Sequence, residues 1–362
     1  MNQVEDRLRV QSAWWMMLGL LTACSGKVDQ FTLQRVVPRA LVGGDLEMVC
    51  ALGESTTYGI AALPSADKPP RRAEVIGYAT GAMCAELEAW EFELQALRAE
   101  REVSGEAIVP AIKDARLAAE RAHAKAARRF YKAFEQTEAH YGPVGDGECP
   151  RFNARRDELT YLVGLVSGMN AVLHDKTAGS PVGVPLDVLP RVARGAACLD
   201  DEAWWHSPGA LMSGAWATVP GSGPADADPW ALMEEHAAAG ESSGVRVARA
   251  LQVLVSANAG RDDLARGGMS AHAESLKATP VHEDWKLLDE YARRITLHQS
   301  DLAWTAERGH RTPSLGELPG DKAAAPADPF AADPFGADPF GAPAPTPEEE
   351  GAPAKGAEET EE

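Results

Sequence analysis

Basic residues are scarce in this sequence relative to acids. Its 362 residues hold 35 lysines and arginines against 54 aspartates and glutamates, a formal net charge of −19. Nothing in it resembles a basic face for phosphates, which excludes nucleic acid as a partner. Nucleotide-binding motifs are missing as well. No GxGxxG or GxxxxGK[ST] run occurs, so dinucleotide and P-loop signatures are absent. The nine histidines are scattered, and no two of them sit in an HExxH arrangement or at i, i+4 with a carboxylate partner. No metal or cofactor is therefore expected, and the protein reads as a non-enzyme. None of the five cysteines sits in a CxxC motif, which leaves zinc and redox chemistry with little support. A convincing strand alternation is missing too.

Helical patterns fill the space. A 45% hydrophobic share in a chain this long is enough for a packed core. Gly43-Gly44-Asp45 is a turn whose Asp45 caps a helix running from Leu46 to about Leu63. Two long helices follow. The first carries Ile76, Met83, Leu87, Trp90, Leu94 and Leu97 at alternating three and four; the second carries Ile108, Ile112, Ala115, Ala119, Ala122, Ala126 and Phe130. With Val103-Ser104-Gly105 between them, they read as an antiparallel hairpin with an alanine-rich seam. The charges from Arg116 to Lys132 read as its solvated face. A helix from Arg151 to about His174 offers Gly164 and Gly168 on one side. Shorter helices come next: Leu186–Cys198, the stretch after Ser207, Pro229–Ala239, Gly244–Ala259, Asp262–Lys277 and His282–Glu307. Consecutive helices with short Gly, Pro, Ser or Asp breaks predict an all-α array of antiparallel helix pairs, TPR-like in character.

Both ends differ from this middle. Residues 1–23 read as a lipoprotein signal peptide: Arg7 and Arg9, an apolar run from Ser12 to Ala23, then Leu21-Thr22-Ala23-Cys24 as a lipobox. The run is too short to span a bilayer comfortably. Cys24 is then the lipidated residue, and the mature chain sits on the periplasmic face of a bacterial membrane, with Ser25 pointing to the outer one. Four cysteines remain for an oxidising compartment. The favoured pairing is Cys50–Cys84 with Cys149–Cys198, joining neighbouring helices; buried free thiols are the alternative. Residues 24–313 form the helical domain. Residues 314–362 turn to Pro, Ala and Glu, with ADPF starting at Ala327, Ala332 and Ala337. That tail is expected to be disordered and able to serve as a multivalent hook.

One stretch draws attention: Asp200-Asp201-Glu202-Ala203-Trp204-Trp205-His206-Ser207-Pro208. Ser207 is a good N-cap and Pro208 suits the first helical position. Ala210, Ser213, Gly214 and Ala217 then give a small-residue face for close helix packing. Two readings stand: a buried core helix, or one that also lines a ligand groove. The groove candidates are Trp204, Trp205, His206 and Trp216, with Arg246 and Arg249 as cations for an anionic ligand.

These residues also carry a family resemblance. Asp200 to His206, Asp226-Ala227-Asp228-Pro229-Trp230-Ala231 and Ser242-Ser243-Gly244-Val245-Arg246-Val247-Ala248-Arg249 resemble the T-component of TRAP transporters, the helical periplasmic lipoprotein family TatT. The Gly44-Asp45-Leu46-Glu47 turn and the lipobox are similar too. The resemblance implies a TPR-like fold that can assemble as a homotrimer. It further implies an accessory role beside a periplasmic substrate-binding protein in organic-acid uptake. A scaffold for envelope assembly, using the helix pairs and the ADPF tail, is the alternative.

Overall fold

Proline and glycine set where the helices stop, and the computed structural model describes residues 24–63, 69–101 and 108–320. The leader, the Val103–Gly105 turn and the ADPF tail lie outside the described residues. Among these residues the chain is helical and has no strand. α1 (Cys24–Phe31) passes through a π-helical turn (Thr32–Val36) into α2 (Val37–Gly43). Pro38 has no N–H for the carbonyl four residues back, and the ladder slips to a bond from Val37 N–H to the Thr32 carbonyl. Gly44 turns the chain at φ 69°, and Asp45 accepts from Met48 N at 2.8 Å to start α3 (Leu46–Ala61).

The long hairpin forms as the periodicity predicts, from α4 (Arg71–Arg101) and α5 (Ile108–Tyr141). Ala115, Ala119, Ala122 and Ala126 are buried along its seam. The charged side of α5 lies outward and pairs in passing, Lys125 with Glu88 and Arg116 with Glu100. α6 (Arg155–Thr177) closes on α5 through its glycines. A Cβ on Gly164 would stand 2.0 Å from Thr137 Oγ1, and one on Gly168 would stand 2.6 Å from the Phe134 ring.

The remaining helices are α7 (Val188–Ala196), α8 (Ser207–Thr218), α9 (Pro229–Glu241), α10 (Val247–Asn258), α11 (Asp262–Ala278) and α12 (Lys286–Arg308). They pack in successive pairs, α7 with α8, α8 with α9, α9 with α10 and α10 with α11; α12 returns to lie on α10 and α4. Asp228 caps α9, accepting from Trp230 N and Ala231 N. The small-residue face of α8 is buried as one of its two readings required: Gly214 lies against Val255, Met169 and Met233. Ser207 is a correction. Its hydroxyl is buried without a partner, and the side chain that caps α8 is Asp201, which accepts from Gly209 N at 2.7 Å.

Both favoured disulfides are present. Cys50–Cys84 ties α3 to α4, and Cys149–Cys198 ties the loop after α5 to the end of α7. No helix among the described residues is long and apolar enough to cross a membrane.

Candidate functional site

A cleft of about 700 Å³ lies where α1 meets the start of α4, the end of α5 and the approach to α6. Three arginines line it, Arg71, Arg72 and Arg156, against one carboxylate, Asp29. In a chain of net charge −19 this is a local reversal of sign.

Arg72 is the clamp that shapes it. Its Nε donates to Asp29 Oδ2 at 2.7 Å, and its Nη1 donates to Asp157 Oδ1 at 2.5 Å. Asp29 uses its other oxygen to accept from Ala73 N at 2.8 Å, so a side chain of α1 caps the start of α4. Asp157 accepts from Asn153 N at 3.1 Å, and its carbonyl accepts from the Tyr141 hydroxyl at 2.9 Å. Arg72 is thereby consumed in holding three segments together.

The other two arginines keep donors to spare. Arg71 gives one bond, from Nη1 to Gln136 Oε1 at 3.0 Å. Arg156 is exposed and has no side-chain partner among the described residues. Gln30, Gln34 and Asn153 add neutral polar groups, and His140 completes the wall. Partial burial, and then the Arg72 guanidinium, lower the His140 imidazole below its usual value. It stands neutral at pH 7 and offers hydrogen bonds without adding charge. Two guanidinium forks with unused N–H groups in one concavity suit a carboxylate, which each can engage bidentately.

The opposite flank of α1 is apolar. A groove of about 350 Å³ runs between α1, α2, α3 and α4, with Phe31, Val37, Leu52, Ile76 and Met83 on its walls. Phe31, Val42, Met48, Leu52 and Tyr58, all in α1–α3, are exposed large apolar side chains. A cluster of this kind marks a contact surface.

The residues singled out in the sequence lie elsewhere and do not form an open groove. Trp204 is 0% exposed, donates to Glu158 Oε2 at 2.9 Å, and packs edge-on to Trp205 and Trp285. Trp205 reaches only a void of about 60 Å³, room for roughly two waters. Trp216 is covered by the glycine-rich loop, with Gly223 seated on its ring. Arg246 and Arg249 are 0% and 1% exposed and are spent on internal partners. Arg246 binds Asp289 and Ser275; Arg249 binds Glu241 and Glu234 at 2.6 Å each. Buried cations whose donors are taken by neighbouring carboxylates are a packing solution and leave no charge for a ligand. His206 alone of the six faces a polar, partly open neighbourhood, beside Asp201 and His236.

Sequence reasoning also missed a polar chain through the core. His298 Nε2 meets Glu93 Oε2 at 2.7 Å, and Glu93 Oε1 lies 2.9 Å from His123 Nε2. His123 and His174 face each other through Nδ1 at 2.8 Å, and His174 Nε2 meets Glu86 Oε1 at 2.9 Å. Glu86 Oε2 accepts from the Tyr291 hydroxyl at 2.7 Å, which accepts from Asn170 Nδ2 at 3.2 Å. Burial opposes ionisation of Glu93, but the bonds from His123 and His298 outweigh it and hold this carboxyl well below its ordinary value. The chain joins α4, α5, α6 and α12. Helical spacing of the members within each helix carries no signal for such a network, because each partner comes from a different helix.

Comparison with family models, with curated proteins and with solved structures finds no match for this chain.

Proposed function

We propose that this protein is a lipid-anchored binding component of the bacterial envelope, without catalytic activity, that holds a small organic acid in the arginine-lined cleft. The observation that carries the reading is the cleft itself: three arginines converge against one carboxylate, and two of them keep unused donors. A dicarboxylate bridging Arg71 and Arg156 answers both forks. The lipobox would put the anchor at Cys24, the first residue of α1, so the cleft would stand close to the periplasmic face of the membrane, the outer one on the Ser25 signal. The sequence resemblance to TRAP T-components assigns the bound acid to an uptake system, with a substrate-binding protein as partner. The exposed apolar side chains of α1–α3 supply a face for that partner.

Two experiments test this. Calorimetric titration of the full chain with succinate and related acids should give one site, weakened at least tenfold in Arg156→Ala. Pull-down from membranes with the acylated protein should recover a substrate-binding protein, and Met48→Glu in the apolar face should lose it. Absence of heat with every acid tried, together with no such partner, overturns the reading.

A further inference from the structure

Asp201 and His206, five residues apart before α8, meet His236 of α9 at the start of α8. Asp201 Oδ2 lies 2.8 Å from His206 Nδ1 and 3.1 Å from His236 Nδ1. All three donor atoms fall within 4.8 Å of one another. We propose that these residues form a binding site for one divalent first-row transition ion, with zinc as its best probe.

The geometry is close to what such an ion needs. Tetrahedral zinc with bonds of about 2.0–2.1 Å sets its donors roughly 3.3 Å apart, so Asp201 Oδ2 need withdraw from each imidazole nitrogen by only a few tenths of an ångström, and the two nitrogens already lie within 4.8 Å of each other. Two imidazole nitrogens and one carboxylate oxygen are a donor set for zinc, cobalt, nickel or iron rather than for magnesium or calcium. The three side chains are 27%, 33% and 21% exposed in the order His206, Asp201, His236. Solvent can therefore reach the remaining coordination position.

The surroundings hold the donors in place. Trp205 and His206 both take left-handed backbone, at φ 53° and 56°. For residues with a Cβ that conformation costs about 1 kcal/mol or more each, and here it turns the chain so that the His206 ring returns over Asp201. His206 N also donates to the Asp201 carbonyl at 2.8 Å. The second Asp201 oxygen is fixed by Gly209 N at 2.7 Å. Gly209 is required by the third ligand: a Cβ there would lie 2.2 Å from the His236 ring. Strain and a forced glycine thus converge on one small cluster.

Charge favours the ion as well. The Asp201 carboxylate supplies negative charge between the two imidazoles, and Glu235 beside His236 adds more. The positive end of α8 opposes a cation, and Asp201 already neutralises it. On binding, each neutral imidazole moves its Nδ1 proton to Nε2, and an imidazolium at His236 releases its extra proton to the buffer. Affinity therefore falls as the pH is lowered.

The test uses the full chain without an affinity tag. Calorimetric titration with zinc chloride at neutral pH should give one ion per chain. His236→Ala, in a helix that accepts alanine readily, should weaken binding at least tenfold. His206→Asn, which tolerates the left-handed backbone, should do the same, and circular dichroism should show both variants folded. A second measurement needs no variant: zinc should protect His206 and His236, and not His310, from diethyl pyrocarbonate, read by peptide mass spectrometry. No zinc binding, or equal modification of these histidines with and without zinc, overturns the proposal. So does unchanged affinity in a folded His236→Ala.

Discussion

Asp289→Ala separates a packing role from a ligand-binding role for Arg246. Arg246 is 0% exposed and Asp289 is 2% exposed. The guanidinium Nη1 donates to Asp289 Oδ1 at 3.0 Å and to Oδ2 at 3.1 Å, and Arg246 N donates to Oδ1 at 3.0 Å. Nε and Nη2 go to Ser275 Oγ and Ser275 O, both at 2.9 Å, so every donor group of the side chain has a partner. Removing the carboxylate leaves a cation that stays charged at every ordinary pH inside the fold. Breaking such a pair costs about 3–5 kcal/mol, more than its net worth, because the remaining charge is uncompensated. The three lost bonds, at about 1.5–3 kcal/mol each to a charged group, would sum to more than this, but they share one carboxylate and do not add independently. For a domain of this size about 2 °C of melting temperature accompanies each kcal/mol, which puts the shift at roughly 6–10 °C. Urea and thermal unfolding followed by circular dichroism measure it, with organic-acid affinity recorded on the same variant. A loss under about 1 kcal/mol would refute the reasoning, and so would normal stability with abolished ligand binding.

Three more expectations follow from the same physics. The disulfides close sequence separations of 34 and 49 residues, and chain entropy gives each about 4 kcal/mol; Cys50→Ser/Cys84→Ser should lower the urea midpoint accordingly, and an unchanged midpoint counts against it. Gly164→Ala drives a Cβ to 2.0 Å from Thr137 Oγ1, so it should cost about 1–3 kcal/mol, partly recovered when Thr137→Ala is added. Burial, then Arg246, Arg249 and Arg293, push His272 from its usual 6.5 down to about 3. The unfolded chain binds that proton first, so stability is full above pH 6.5 and is lost as pH falls toward 3. His272→Gln should flatten the stability slope between roughly pH 4 and 6.5; an unchanged slope contradicts this.

Local signals carried the fold well. The a/d-like spacing of α4 and α5, the cap at Asp45 and the Asp228-Pro229 start of α9 each act within a few residues, and a sequence displays such signals directly. The cysteine pairing was legible for the same reason, since neighbouring helices leave little choice. The site was not. Trp204 and Arg246 are chemically rich, but whether they face solvent depends on α6, α11 and α12, which arrive from far along the chain, and Arg249 is closed off by Glu234 and Glu241 of α9. Asp201, His206 and His236 carry no motif spacing because Gly209 and two left-handed residues create their meeting point. Arg71 and Arg156 carry no motif in the sequence; α1, held by Arg72 and Asp29, builds the wall opposite them.

The central claim is that the arginine cleft binds an organic acid. The most direct measurement is a calorimetric titration of the full chain with succinate, repeated on Arg156→Ala and Arg71→Ala, with Arg246→Met as the comparison outside the cleft. One site is expected, weakened at least tenfold by each cleft substitution and unaffected in any folded Arg246→Met. Equal affinity in wild type and both cleft variants would contradict it.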